Sequence, residues 1–197
     1  VGGVITGPET ILLDMGSMTA TRSVDPVNLL VTFDAGKNGL EAEQDMAAQG
    51  LTIGHWPQSI ALSTVGGWIA TRASGQFSTA YGNIEDIVYA IEAVLPDGSL
   101  VNLGKGPRAS AGPDLRHIML GSEGTLGVIT GVTLSLRRAP ERQALTAFAA
   151  KTMREGFELQ REFGSARLDD ASLCEHVNEI RRDVVEQALV VDRKSVV

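Results

Sequence analysis

Two clusters of glycine and other small residues within residues 57–129 constrain this chain more than any other feature. The first cluster runs from Pro57 to Gly75 and the second from Gly121 to Ile129. Glycine lets backbone approach a ligand closely, and the hydroxyl and amide groups beside it can bind a phosphate or a heterocycle. The two clusters therefore predict a cofactor-binding surface.

Other glycine-containing motifs are excluded by their spacing. The chain has neither G-x-x-x-x-G-K-[ST] nor a G-x-G-x-x-G that follows a strand, which disfavours a Walker-type NTPase. The segment Gly121–Gly124 lacks the G-x-S-x-G spacing of a nucleophile elbow, which disfavours a serine hydrolase. It does match the bare G-x-x-G of an RNA-clamping loop, but the net charge of -7 opposes nucleic-acid binding.

Composition bounds the remaining choices. A chain of 197 residues with 43% hydrophobic content can bury one core and leave room for a small second unit. No apolar run reaches the roughly 20 residues that span a bilayer. The single cysteine, Cys174, excludes an intrachain disulfide and favours a cytoplasmic protein. His55, His117 and His176 lack metal-ligand spacing, so no metal site is predicted.

The first third of the chain predicts two strands followed by a helix. Ile11–Asp14 and Leu29–Asp34 are short aliphatic runs typical of strands. Strong helix formers fill Gly39–Gln49, and Gly50 supplies the stop. Within the first cluster, Gly66–Ser74 predicts a short helix whose N-terminal amides would be free to meet an anion.

The middle of the chain alternates strands with short helices. Apolar runs across Ile84–Leu103 flank the turn sequence Pro96–Ser99 and predict a β-hairpin. The i, i+3, i+4 spacing in Asp114–Leu120 predicts a short helix, and the alternation in Val128–Leu136 predicts a half-buried strand. This mixture indicates the α+β class.

Beyond Pro140 the composition changes to charged, helix-favouring sequence, which places a domain boundary near residue 141. Helical stretches are predicted at Met153–Phe163 and Leu173–Leu189.

Four side chains in or near the clusters have two readings each. Trp56 and Trp68 could border a ring system or belong to the core. Arg72 could neutralise a phosphate or remain solvated in an ion pair. Glu123 could belong to a strand-entry turn or to a backbone-positioned ligand contact.

The order of these segments along the chain is more specific than any single residue in them. Taken together, five segments resemble the FAD-binding PCMH-type domain of the vanillyl-alcohol oxidase superfamily of FAD-linked oxidases, and within it the alkyldihydroxyacetonephosphate synthases. These segments are Trp56–Gly75, Tyr81–Asp86, Gly106–Arg108, Ala111–Asp114 and Gly121–Thr130.

The resemblance implies FAD as cofactor. It implies that two walls and the helix between them contact the flavin, with Gly66 and Gly67 clearing space for the diphosphate and Ser63 and Thr64 offering hydroxyls. The implied contacts are Pro57, Gln58, Ser59, Ile60, Ala61, Leu62, Ser63, Thr64, Gly66, Gly67, Ala70, Thr71, Arg72, Ala73, Glu123, Gly124, Thr125, Leu126, Gly127, Val128 and Ile129.

The resemblance also implies a domain plan. Residues 1–140 would form the FAD-binding domain, and residues 141–197 the beginning of a mainly helical substrate or cap domain. Val1–Val4 resembles only the tail of the family's diphosphate loop, and Arg167–Ala171 faintly resembles an early cap segment. The family's catalytic residues lie in its cap, so no catalytic residue is assigned.

Three functions follow from this resemblance as hypotheses. The parent enzyme would make an ether-lipid precursor from acyl-dihydroxyacetone phosphate and a fatty alcohol through a flavin N5 adduct. Alternatively, it would be a FAD-dependent 2-hydroxy acid dehydrogenase or oxidase acting on D-lactate or glycolate, or the chain would be a catalytically silent fragment. Small-molecule substrates, a homodimer and peripheral membrane association are compatible with the main hypothesis.

Overall fold

The structure is a computed structural model, and it describes residues 7–104, 112–140, 143–165 and 189–195. Two compact units divide the chain, residues 1–138 and 139–197. The predicted diphosphate-loop tail, Cys174, His176 and the early cap segment lie outside the described residues, as does all of the predicted helix Leu173–Leu189 except its last residue.

The first unit contains seven strands and five helices among its described residues. In chain order they are β1 (Thr21–Asp25), β2 (Leu30–Asp34), α1 (Gly39–Ala47), β3 (Leu51–Thr52), α2 (Val65–Thr71), α3 (Ser78–Tyr81), α4 (Ile84–Ile87), β4 (Val88–Val94), β5 (Leu100–Leu103), α5 (Arg116–Met119), β6 (Val128–Ser135) and β7 (Arg137–Arg138). The α+β prediction is confirmed.

A five-stranded antiparallel sheet in the order β1-β2-β6-β4-β5 forms the frame of this unit. Alternate residues of its central strands point into the core, including Val31 and Phe33 of β2 and Val132 and Leu134 of β6, which are all buried. Helix α2 contacts both β2 and β6 and contributes the buried Ile69 to the same core. The predicted cofactor segments therefore flank a helix that is fixed to the centre of the sheet.

The opposite face of the sheet is polar. Arg22 on β1 forms ion pairs with Asp34 at 2.5 Å and with Glu92 at 2.9 Å, and it also donates to the Thr130 carbonyl at 3.1 Å. Its hydrogen bonds to Glu92 and Asp34 raise the pKa of Arg22 above its ordinary value. This network joins strands β1, β2, β4 and β6 without using the core face.

Most predicted elements of the first unit are confirmed, and one is wrong. The predicted hairpin is present as β4 and β5, and the predicted helix at Gly39–Gln49 is α1. Ile11–Asp14, in contrast, is not a strand. Its apolar side chains are exposed, and the segment pairs with no strand among the described residues. The edge strand is instead β1, whose half-exposed residues give a weak sequence signal.

The second unit contains β8 (Gln143–Ala149), α6 (Met153–Ser165) and β9 (Leu189–Ser195) among its described residues. Strands β8 and β9 pair antiparallel from Gln143 opposite Ser195 to Ala149 opposite Leu189. The predicted helix at Met153–Phe163 is confirmed, but the two strands depart from a mainly helical unit. Their residues include Val190 and Val191, which are strand formers that the charged composition around them obscured.

Candidate functional site

The first wall, residues 57–63, is hydrogen-bonded to the start of α1. Asn38 caps that helix by accepting hydrogen bonds from the amides of Leu40 at 2.9 Å and Glu41 at 3.3 Å, while its own Nδ2 donates to the Ala61 carbonyl at 2.9 Å. The amide of Gly39 donates to the Ser63 carbonyl at 2.9 Å, and that of Leu40 to Ile60 at 3.1 Å. The N-cap of α1 thereby determines the path of the first wall.

Trp68 supports the same wall from behind. Its side chain is 1% exposed, and its indole Nε1 donates to Ser63 Oγ at 2.8 Å. Ser63 Oγ in turn donates to the Ser59 carbonyl at 2.9 Å. Trp68 is therefore a core residue, and the proton of the Ser63 hydroxyl is already donated within the chain.

The first turn of α2 has no free amides to offer an anion. The amide of Val65 donates to the Lys37 carbonyl at 2.9 Å, that of Gly66 to Ala35 at 2.8 Å and that of Gly67 to Thr64 Oγ1 at 3.2 Å. The prediction of free N-terminal amides is therefore wrong. A Cβ on Gly66 would lie 2.7 Å from the Ala35 Cβ, so the absent side chain lets α2 pack on β2.

The second wall, residues 121–127, meets the other end of α2. The amide of Gly121 donates to the Ile69 carbonyl at 2.9 Å, and the amide of Glu123 donates to Ala70 at 3.0 Å. Both acceptors are carbonyls of the last turn of α2, where the helix itself supplies few donors. Residues 57–73, which include α2, and residues 121–127 are thus continuous with each other. We call this surface the rim.

The rim contains two left-handed residues that are not glycine. Arg72, the C-cap of α2, has φ 53°, and Glu123 has φ 48°. Such residues cost about 1–2 kcal/mol in this conformation and concentrate at functional sites. Both stand next to the hydrogen bonds that join the walls.

The rim presents unused hydrogen-bond donors. Among the described residues, the amides of Gly124 and Leu126 have no acceptor, and the exposed Arg72 guanidinium forms no ion pair. The exposed side chains of Gln58 and Ser59 also form no hydrogen bond within this part of the chain. These groups can bind an anion or the edge of a heterocycle without breaking any bond of the fold.

Several predicted site residues instead hold the fold together. The side chains of Ile60 and Ile129 are 9% and 8% exposed and belong to the core. Thr71 Oγ1 donates to the Gly67 carbonyl at 2.8 Å, and Thr125 Oγ1 donates to Ser122 at 2.6 Å. The remaining predicted residues, namely Pro57, Ala61, Leu62, Ala73, Gly127 and Val128, line the rim or adjoin it, and their contacts with a cofactor stay predictions.

A buried polar group behind the first wall escaped the sequence analysis. Glu43 of α1 accepts hydrogen bonds from Thr52 Oγ1 and from the Ile53 amide at 3.0 Å, and burial raises its pKa above the ordinary range of a glutamate. Close by in sequence, His55 is 1% exposed and stands edge-on to Trp68 with ring centroids 4.7 Å apart. Neither of its ring nitrogens has a partner among the described residues, and burial lowers its pKa to about 4.

Comparison with known proteins identifies this architecture. The model of an FAD binding domain family matches residues 1–104, which is more than half of the chain. The chain belongs to this FAD-binding family. The confirmed resemblance is to the vanillyl-alcohol oxidase superfamily, of which alkyldihydroxyacetonephosphate synthase is a member.

Individual relatives of this FAD-binding domain agree with that assignment. The chain is 39% identical over 178 residues to an alkyldihydroxyacetonephosphate synthase of Caenorhabditis elegans, covering 88% of this chain and 30% of that protein. It is 36% identical over 142 residues to a D-lactate dehydrogenase of Anaerostipes hadrus, covering 72% of this chain and 30% of that one.

A solved structure of alkyldihydroxyacetonephosphate synthase superposes with a TM-score of 0.70 at 36% identity, covering 77% of this chain and 27% of that one. This FAD-binding chain therefore spans less than a third of the length of the relatives named here. Among the described residues no helix has both the length and the apolar sequence needed to cross a membrane.

Proposed function

We propose that this chain binds FAD along the rim, as the FAD-binding portion of an enzyme resembling the alkyldihydroxyacetonephosphate synthases. The observation that carries the proposal is the pair of hydrogen bonds from Gly121 and Glu123 to α2, which attaches the second wall to the helix that follows the first. Within the part of the chain that the structure describes, the amides of Gly124 and Leu126 and the Arg72 guanidinium beside that junction have no partner. Neutral donors beside a cation suit the phosphates and polar edges of a dinucleotide.

The residues present fit FAD in a specific way. Arg72 supplies a positive charge for the diphosphate, and the amides of Gly124 and Leu126 supply donors for ring or ribose oxygens. Small side chains at Ala70 and Ala73 leave space for close approach between these donors. When bound, FAD supplies the electron chemistry, while this chain holds and orients it.

Titration of the purified 197-residue protein with FAD tests this proposal. We expect bound flavin to be released by denaturation, or added FAD to bind with quenching of flavin fluorescence. We expect Arg72→Gln to weaken binding because the diphosphate loses its cation, whereas Arg154→Gln should not, since Arg154 is an exposed residue of α6 paired with Glu158 at 3.4 Å. A colourless protein that ignores added FAD would contradict the proposal and favour a catalytically silent fragment.

For the parent enzyme we propose acyl-dihydroxyacetone phosphate and a fatty alcohol as substrates. The relative with 39% identity, an alkyldihydroxyacetonephosphate synthase, supports this choice. A FAD-dependent 2-hydroxy acid dehydrogenase or oxidase is the second candidate, favoured by the similarity to a D-lactate dehydrogenase.

Expression of the full reading frame separates the two candidates. Turnover of acyl-dihydroxyacetone phosphate with a fatty alcohol supports the synthase, and reduction of FAD by D-lactate supports the dehydrogenase. Turnover of neither substrate rejects both. Size-exclusion chromatography of the same protein tests the expected homodimer, and fractionation with lipid vesicles tests peripheral membrane association.

A further inference from the structure

Arg116 of α5 occupies an unusual position between the sheet and the second wall. Its side chain is 13% exposed, although an arginine is rarely buried without partners. Its Nη1 donates to two successive carbonyls of β4, Val88 at 2.8 Å and Tyr89 at 3.1 Å. Its Nε donates to the Asp114 carboxylate at 2.9 and 3.1 Å, and its Nη2 pairs with the same carboxylate.

The irregular pairing of β4 explains why these two carbonyls are available. Val88 pairs with Leu134 and Ala90 pairs with the next residue back along β6, Thr133, so Tyr89 is an extra residue in the ladder. A bulge of this kind leaves an unpaired group that needs another partner. Pairing between β4 and β5 begins only at Ile91, so β5 does not supply that partner. The guanidinium of Arg116 supplies it instead.

From Arg116 the chain leads directly into the second wall. Met119 and Leu120 are buried in the core, and the amides of Gly121 and Glu123 just after them donate to the end of α2. Arg116 thus fixes one end of this segment to the sheet, while the amides of Gly121 and Glu123 fix the other end to α2. Among the described residues, no other side chain of α5 hydrogen-bonds to the sheet.

We propose that Arg116, held in its fork geometry by Asp114, is a positioning residue that sets the second wall for FAD. The inference rests on the proposed function. Arg116 touches no rim donor itself, so its influence on FAD passes through the backbone from α5 to Gly124.

The first test is FAD affinity measured well below the melting temperature, where each variant is folded. We expect Arg116→Ala to raise the Kd by about tenfold, which corresponds to about 1.4 kcal/mol. Arg116→Lys should give an intermediate loss, because a single ammonium cannot reproduce the planar fork. Arg154→Ala is the matched control and should leave the Kd unchanged.

A double-mutant cycle distinguishes positioning from general destabilisation. We expect Arg116→Ala to be non-additive with Thr125→Val in the second wall and additive with Ser59→Ala in the first. A structural role alone would give the same additivity with both. An unchanged Kd for Arg116→Ala, or equal coupling to both walls, would overturn the proposal.

Hydrogen exchange judges the positioning role without FAD. The amides of Gly121 and Glu123, which donate to Ile69 and Ala70, should exchange faster in Arg116→Ala than in the wild type. Unchanged exchange at both amides would show that Arg116 does not hold the wall. If the wild type binds no FAD, the proposed function fails and so does the cofactor part of this inference, while the exchange rates still decide whether Arg116 holds the segment.

Discussion

The two walls of the rim are held in different ways. The first wall lies against the core, with Trp68 behind it and the start of α1 hydrogen-bonded along it. The second wall is exposed from Glu123 to Leu126 and is held by two backbone amides and, upstream, by Arg116. Folding of the core determines the first wall, whereas a few polar contacts determine the second. Changes in the first wall should therefore reduce stability, and changes in the second should mainly reduce affinity for FAD.

The largest expected effect is that of Trp68→Ala. This change removes a side chain that is 1% exposed and deletes the hydrogen bond to Ser63, so we expect the free energy of unfolding to fall by about 3–5 kcal/mol. Urea denaturation measures it. Trp68→Phe is the matched control, since it keeps an aromatic ring but loses the Nε1 donor, and it should cost less. A loss below about 1 kcal/mol for Trp68→Ala would contradict a core-supported first wall.

The pH dependence of stability tests the burial of His55, which lies edge-on against Trp68 in the core. Burial lowers the pKa of His55 to about 4, whereas the unfolded chain takes up this proton near its ordinary value of about 6.5. The contribution of the neutral His55 to the free energy of unfolding is therefore fully present above about pH 6.5 and is lost as the pH falls toward about 4. Over that window it amounts to about 3 kcal/mol. Unfolding free energies measured from about pH 7 to about pH 4.5 should show this loss.

The control for this prediction is His55→Gln, which cannot titrate. Burial also raises the pKa of Glu43, so the contribution of Glu43 to stability grows as the pH falls and opposes that of His55. The difference between the wild type and His55→Gln isolates the His55 contribution. Identical pH profiles for the two proteins would show that His55 is not buried in its neutral form.

Local sequence signals predicted the frame of this structure well. Strong helix formers marked α1, the turn residues Pro96–Ser99 marked the β4–β5 hairpin, and apolar alternation marked β6. These signals act over a few residues, so the sequence alone contains them. Strand β1 gives no such signal, because an edge strand needs no buried alternation. The apolar run Ile11–Asp14 resembles a strand in sequence, but an apolar run does not reveal whether a partner strand exists.

In the candidate site, too, local sequence predicted some features and not others. Glycine and small-residue clusters predicted where the walls lie, but not which of their polar groups remain free. Ser63 is engaged because Trp68 reaches it, and the Gly66 amide is engaged because Ala35 lies against it. Arg116 gave no signal at all, since its role depends on a bulge in β4. Such facts depend on contacts between distant segments, which local patterns do not encode.

A pair of glycine substitutions compares the walls directly. A Cβ on Gly39 would lie 2.2 Å from the Trp68 ring and 2.9 Å from the Ile60 carbonyl, so Gly39→Ala should cost about 1–3 kcal/mol through overpacking. A Cβ on Gly124 would meet nothing within 4 Å, but its φ of 80° makes Gly124→Ala cost about 1 kcal/mol. We expect Gly124→Ala to weaken FAD binding more for each unit of stability lost. Thermal unfolding and FAD titration of both variants measure this, and equal ratios would remove the distinction between the walls.

The smallest expected effect concerns the strain in the second wall. Glu123 holds φ 48°, a conformation that glycine adopts without the steric cost, so Glu123→Gly should relieve about 1–2 kcal/mol. The greater freedom of the unfolded chain offsets about 0.4–1 kcal/mol of this, which leaves a net gain of up to about 1.6 kcal/mol. Glu41→Gly, in the first turn of α1, is the matched control and should lose about 1 kcal/mol because that position is helical. Denaturant unfolding of the two variants therefore should give opposite signs, since the same substitution relieves strain at one site and adds backbone freedom at the other. A loss of stability in Glu123→Gly would show that the left-handed turn is stabilised by the glutamate itself, and the second wall would then be held by more than the backbone bonds and Arg116.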